Sequence, residues 1–168
     1  MYIGDRRGAH LSKGKDMSKR ELFMSNVNTM LRGFIIDCDE DIADEKYFEN
    51  SITGMRSVLN AKQVEITVRL IRDRKFTFIC GRKAADKVTA VDDDNNVVLE
   101  GTFIVAGLNL LPGGYEIRSL SDEELRFIKT NLGLMYMDDG NGGGFNIYCL
   151  KHVSPLGSKK KEAYNEEN

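Results

Sequence analysis

The run DCDEDIADE, residues 37–45, places six carboxylates in nine positions. That density suits three chemistries: ligation of a hard cation, imitation of nucleic-acid phosphates, or a solvated acidic face. Hard-metal ligation needs two or three carboxylates converging on one point with polar groups behind them. In an extended chain Asp37, Asp39 and Asp41 point one way while Cys38 and Glu40 point the other. Asp37 and Asp39 then end a strand and the remainder enters a loop. A solvated acidic loop is the plainest reading, an acidic binding surface built of Asp37, Asp39, Glu40, Asp41, Asp44 and Glu45 the functional one, and a metal site the least supported.

Other constellations fall short of catalysis. The two histidines, His10 and His152, lie outside any serine or cysteine nucleophile context, so no catalytic residue and no enzyme is expected. Cys149 and His152 form a C-x-x-H pair, half of a zinc site, and Cys38 and Cys80 would have to converge on it through the fold to supply four ligands. Asp92, Asp94 and Asn96 begin like a calcium loop, but Val97 stands where that loop needs Gly and Phe103 where it needs Glu, which leaves a hairpin turn. The loop DDGNGGG, residues 138–144, lacks the Gly-Lys-Ser/Thr ending of a phosphate cradle and leads into a strand, so it reads as a flexible loop able to grip a partner. No metal and no cofactor is expected.

Charge is unevenly spread although the net value is −2. Residues 37–49 carry seven acids against Lys46, and residues 61–90 carry eight Lys and Arg against three acids. Arg72, Arg74, Lys75, Arg82, Lys83 and Lys87 lie at or near two neighbouring turns, where they would neutralise several phosphates. No helix-turn-helix or RNA-recognition signature accompanies them, so a solvated cationic face competes with DNA or RNA binding.

The elements that must position these residues follow from periodicity and punctuation. Residues 1–16 read as a flexible basic arm. Met17, also a second candidate start, opens a helix with Ser18 and Glu21 as its capping box and Gly33 as its end; Phe23, Val27, Met30 and Leu31 share its apolar face. A strand GFIIDC follows, then a short helix capped by Asn50 or Ser51, then VEITVRLIR, whose alternation marks the clearest strand. FTFIC returns after a turn at RDRK, VTAV and VVLEGTFIVAGL make further strands with Gly101 as a bulge, and a Pro-Gly-Gly loop leads to a helix with Ser121 and Glu124 as a capping box, closed by Gly133. GLMYM and FNIYCLKHV form a last hairpin before a disordered tail, residues 154–168. The fold expected is α+β, a mostly antiparallel sheet of about five to seven strands with three helices, in one domain over residues 17–153. Three scattered cysteines, no export leader and no apolar run of about 20 residues point to a reduced, cytoplasmic, non-membrane protein.

The segments LRGFIIDC, SITGMRSVLNAKQVEITVRLI, VTAVDDDNNVVLEGTFIVAGL and SLSDEELRFIKTNL, within residues 31–132, resemble small, uncharacterised proteins carried by phages and mobile elements of gut Firmicutes. The resemblance implies a phage or prophage accessory protein and brings no catalytic residues with it. Such a protein acts by binding a host macromolecule, and the acidic run would occupy a cationic nucleic-acid channel. The expected function is inhibition of a host defence complex, with a CRISPR nuclease as first candidate partner (an anti-CRISPR). DNA or RNA binding through the basic hairpins is the alternative, and a structural or regulatory phage protein a third.

Overall fold

A computed structural model describes residues 21–24, 29–81 and 86–156. Period-2 alternation governs most of it. In MLRGFIID, strand β2 (Met30–Asp37), Leu31 and Ile35 turn to one face while Phe34 and Ile36 turn to the other, and all four are buried. Strand β5 (Arg74–Gly81) sends Phe76 and Phe78 to one face and Ile79 to the other, and β8 (Phe103–Leu111) divides Phe103 and Val105 from Ile104 and Ala106 in the same way. A sheet so loaded must be covered on both sides.

Helix α1 (Ile52–Leu59), N-capped by Ser51, covers one face with Met55 and Leu59. Helix α2 (Asp122–Thr130) covers the other with Leu125 and Ile128, beside Ala90 and Leu150 of a second sheet. Each fully buried Phe contributes about 1.5–3 kcal/mol of apolar transfer, and Phe34, Phe76, Phe78 and Phe103 are all inaccessible to solvent or nearly so. The core therefore stands without cross-links, and Cys38, Cys80 and Cys149 are free thiols.

The large sheet has eight strands. Its main path runs β1 (Glu21–Phe23), β9 (Gly114–Arg118), β8, β5, β4 (Val64–Ile71), β12 (Val153–Pro155). Strand β2 also pairs with β8, and β3 (Ile42–Glu49) pairs with β2 in an antiparallel hairpin, Met30 opposite Glu49 through Asp37 opposite Ile42. The small sheet runs β10 (Leu132–Asp138), β11 (Gly144–Leu150), β6 (Val88–Val91), β7 (Val97–Glu100). Pairing is antiparallel except for β1 with β9 and β11 with β6.

The fold is thus mostly β, with twelve strands in two sheets and two helices among the described residues, which corrects the expected α+β class with three helices and five to seven strands. Where it is described, the helix read from Met17 to Gly33 gives way to strands: Glu21 opens β1, and Met30, Leu31 and Gly33 lie in β2, while Met17 and Val27 lie outside the described residues. A strand buried on both faces supplies apolar residues at every spacing, helical ones included, and period alone misleads there. Gly33 ends nothing. A Cβ there would come within 2.7 Å of Ile104 Cγ2 and 2.9 Å of the Val105 carbonyl oxygen, so glycine lets β8 approach. Gly101 (φ +85°) is likewise no bulge within one strand; it stands where the chain leaves β7 for β8 in the other sheet. Asn131, not Gly133, caps α2. The arm at 1–16, Ser18 and most of the tail lie outside the described residues.

Candidate functional site

The acidic run does not form the loop expected of it. Residues 38–41 are a tight turn, and Asp44 and Glu45 belong to strand β3. Asp37 builds the turn: its Oδ1 accepts the amides of Asp39 (3.0 Å) and Glu40 (3.2 Å) and the Thr102 hydroxyl (3.3 Å). Thr102 in turn accepts the Cys38 amide (3.2 Å), and Lys87 Nζ donates to the Cys38 carbonyl (2.8 Å). Asp41 adopts φ +54°, a left-handed conformation that Asp tolerates better than most residues. The result is a pinned tip on which Asp39, Glu40 and Asp41 are exposed.

Asp44 and Glu45 serve the strand itself. Asp44 Oδ1 accepts the Glu45 amide (2.7 Å). Glu45 Oε1 lies 3.0 Å from Arg32 Nε, close enough for an ion contact but without hydrogen-bond alignment, and Arg32 Nη2 donates to Asp122 Oδ1 (2.6 Å) at the start of α2. That bond holds the Asp122 carboxyl below its ordinary range and raises the Arg32 guanidinium. Tyr47 bonds to Glu45, which pushes the phenol upward. Of the six acids singled out, Asp39, Glu40, Asp41 and Asp44 face solvent, while Asp37 and Glu45 are built into the fold.

Of the basic residues that are described, Arg72 and Arg74 are engaged within the fold. Arg72 (φ +56°) donates from Nε to Asn131 Oδ1 (2.6 Å), and Arg74 donates to Glu123 Oε1 (3.1 Å) with its guanidinium 4.4 Å from the Phe127 ring centroid. Both clamp α2 to the β4–β5 turn. Lys87 props the acidic turn, Lys75 is exposed on β5, and Arg82 and Lys83 lie outside the described residues.

The lesser candidates resolve into turns and core. Asp92 accepts the amides of Asp94 (2.9 Å) and Asn96 (2.8 Å), bonds that keep its carboxyl low. Asp139 Oδ1 accepts the amides of Asn141 (2.8 Å) and Gly143 (3.2 Å), and Asp138 that of Gly140 (2.8 Å), so the amides a phosphate would seek are already bonded. His152 Nδ1 contacts Asp93 Oδ1 at 2.7 Å rather than joining Cys149. Burial raises the Cys149 thiol and pushes that of Cys80 up to about 12, against the direction a reactive thiolate needs. Among the described residues no group of three or more His, Cys, Asp or Glu is arranged to hold a metal, and no helix is long and apolar enough to cross a membrane.

Sequence reasoning missed the strand β3, because its three acids, Asp44, Glu45 and Glu49, disguised it. No clean apolar alternation marks it, since Phe48 alone is buried while Ile42, Asp44, Lys46, Tyr47 and Glu49 are exposed. No protein-family model, no curated protein and no solved structure matches the chain.

Proposed function

We propose that the chain is a non-enzymatic binding protein, an accessory protein of a phage or mobile element that works in the host cytoplasm by docking the β2–β3 tip into a cationic nucleic-acid channel of a host defence complex. A CRISPR nuclease is the first partner to test. The observation that carries this reading is the pinned tip: Asp39, Glu40 and Asp41 project together from a hairpin whose base is fixed by Asp37, Thr102 and Lys87. A rigid array of carboxylates loses little conformational freedom on docking, which favours affinity. The resemblance of residues 31–132 supplies the biological setting.

The test is a gel-shift titration of labelled target DNA with a guide-loaded CRISPR nuclease, with and without this protein. The expected result is reduced DNA binding by the nuclease, with no shift by the protein alone. A variant carrying Asp39→Lys, Glu40→Lys and Asp41→Asn, the last keeping a residue that tolerates the left-handed φ of +54°, should fold normally and lose the effect. Undiminished inhibition by that variant would remove the acidic tip from the account. The alternative, DNA or RNA binding through the basic residues, draws less support because Arg72 and Arg74 are engaged with α2; it predicts a shift by the protein alone that fades steeply with salt.

A further inference from the structure

Strand β10 ends the small sheet, paired with β11 alone among the described residues. Its hydrogen-bonding parity is fixed at both ends. The Lys151 amide donates to the Asn131 carbonyl (2.9 Å) and the Asp139 amide to the Gly143 carbonyl (3.0 Å), both in the register that sets Leu132 opposite Leu150 and Asp138 opposite Gly144. Antiparallel ladders alternate, so Leu132, Leu134, Tyr136 and Asp138 turn their amides and carbonyls away from β11, to the side where no other described strand pairs.

The side chains on this edge are of an unusual kind for an exposed strand. From Leu132 to Met137 there is no charge, and Leu134 and Tyr136 are 58% and 62% exposed on the same face. Tyr136 is seated: its ring lies against Gly144, where a Cβ would collide with it. A long apolar strand edge without charge, proline or bulge is a template for another strand.

Charge identifies the occupant. One end of β10 carries Asp138 and Asp139. Near the other end Lys151 lies over Gly133, its Nζ 3.3 Å from where a Cβ would stand, and Lys129 occupies the last turn of α2. Antiparallel pairing with an identical strand brings each acidic end to a basic end, twice. With the two-fold axis at Met135, Leu134 faces Tyr136 of the second copy, Gly133 faces Met137 and Leu132 faces Asp138. The outward amides of each strand then meet the outward carbonyls of the other, and no acid opposes an acid. We infer that the chain forms a two-fold dimer through β10, joining two four-stranded sheets into one of eight. A seven-residue strand pair is smaller than the standard interface of about 1,600 Å², so the dimer is reversible.

Sedimentation velocity on the full chain from about 1 to 500 μM is expected to show monomer passing to dimer. Leu134→Glu, at an exposed position, should weaken association at least tenfold with an unchanged melt, and the double variant Leu134→Lys/Tyr136→Glu should recover it at low salt by placing opposite charges face to face. Register is tested by Met135→Cys. At a non-hydrogen-bonded pair the Cα atoms stand about 4.5 Å apart, within disulfide reach, so mild oxidation should yield a covalent dimer; Tyr136→Cys, facing Leu134, and the unsubstituted chain should not. A monomer throughout the range, which would leave the edge to a strand of some other protein, overturns the inference. So does association indifferent to Leu134→Glu, or a Met135→Cys chain that fails to cross-link.

Discussion

Strands β3 and β10 hold the same topological position, each a sheet edge among the described residues, and they treat it in opposite ways. On β3 the Asn50 amide donates to the Thr29 carbonyl (2.8 Å), which fixes the parity so that Ala43, Glu45, Tyr47 and Glu49 present their amides outward. The chain then occupies part of that edge itself: Asp44 takes the Glu45 amide, and the Glu49 carbonyl takes the Ser51 amide (2.8 Å). Asp44, Glu45, Lys46 and Glu49 add charge. Strand β10 has neither device from Leu132 to Met137. The charged edge is guarded against a further strand and offers carboxylates at its tip; the neutral edge offers backbone and apolar surface.

The largest test of this contrast lies beneath the charged edge. Phe34 sits in β2, opposite Glu45 of β3 and Val105 of β8, and is fully buried. Phe34→Ala should cost about 3–5 kcal/mol in denaturant unfolding. Leu134→Ala on the exposed β10 edge should cost less than about 0.5 kcal/mol when measured at a concentration where the chain is monomeric. Comparable losses at the two positions would mean that β10 is covered in solution and that its apolar face belongs to the core.

A middle-sized effect comes through pH. Arg118 holds Glu124 with two hydrogen bonds (2.6 and 2.8 Å) and keeps its carboxyl below the ordinary range, as Arg32 does for Asp122. A carboxyl depressed in the folded state stabilises fully above its unfolded value, near 4.3, and the contribution is lost as pH falls through the folded value. Acid should therefore loosen α2 and, through Asp122 and Arg32, the support of β3. Glu124→Gln should lower stability at neutral pH by about 0.5–1 kcal/mol, discounted because the pair is partly solvated, and flatten the loss of melting temperature below about pH 4.5. An acid limb identical in the variant would assign the pH dependence to other carboxylates.

The same contrast governs what could be read from the chain. Strand β4 alternates visibly in sequence, and the Ser121–Glu124 capping box of α2 is present with both of its bonds. Strand β2 was illegible because both of its faces are buried, so its apolar residues satisfy a helical spacing as readily as an extended one. The acidic tip was visible as composition, but its division into exposed acids and turn-building acids depends on Thr102 and Arg32, which reach it only through pairing of β2 with β3 and β8. The partners of Arg72 and Arg74 were illegible for the same reason: Asn131 and Glu123 lie about fifty residues or more along the chain.

The smallest effect probes the guard on β3 directly. Asp44 is exposed, so Asp44→Ala should leave the melt unchanged within error, yet it frees the outward amide of Glu45. Hydrogen exchange at Glu45 should quicken by about tenfold, the loss of one modest hydrogen bond, while the amides of Asp44 and Lys46, which face β2, exchange as before. Placed in the Leu134→Glu background, where β10 no longer pairs, the substitution isolates the other edge. Concentration-dependent association appearing only in the double variant would show that one carboxylate keeps β3 from recruiting a strand. If the double variant remains monomeric, the remaining charges Glu45, Lys46 and Glu49 suffice, and Asp44 is left free to contribute its charge to the docking surface at the tip.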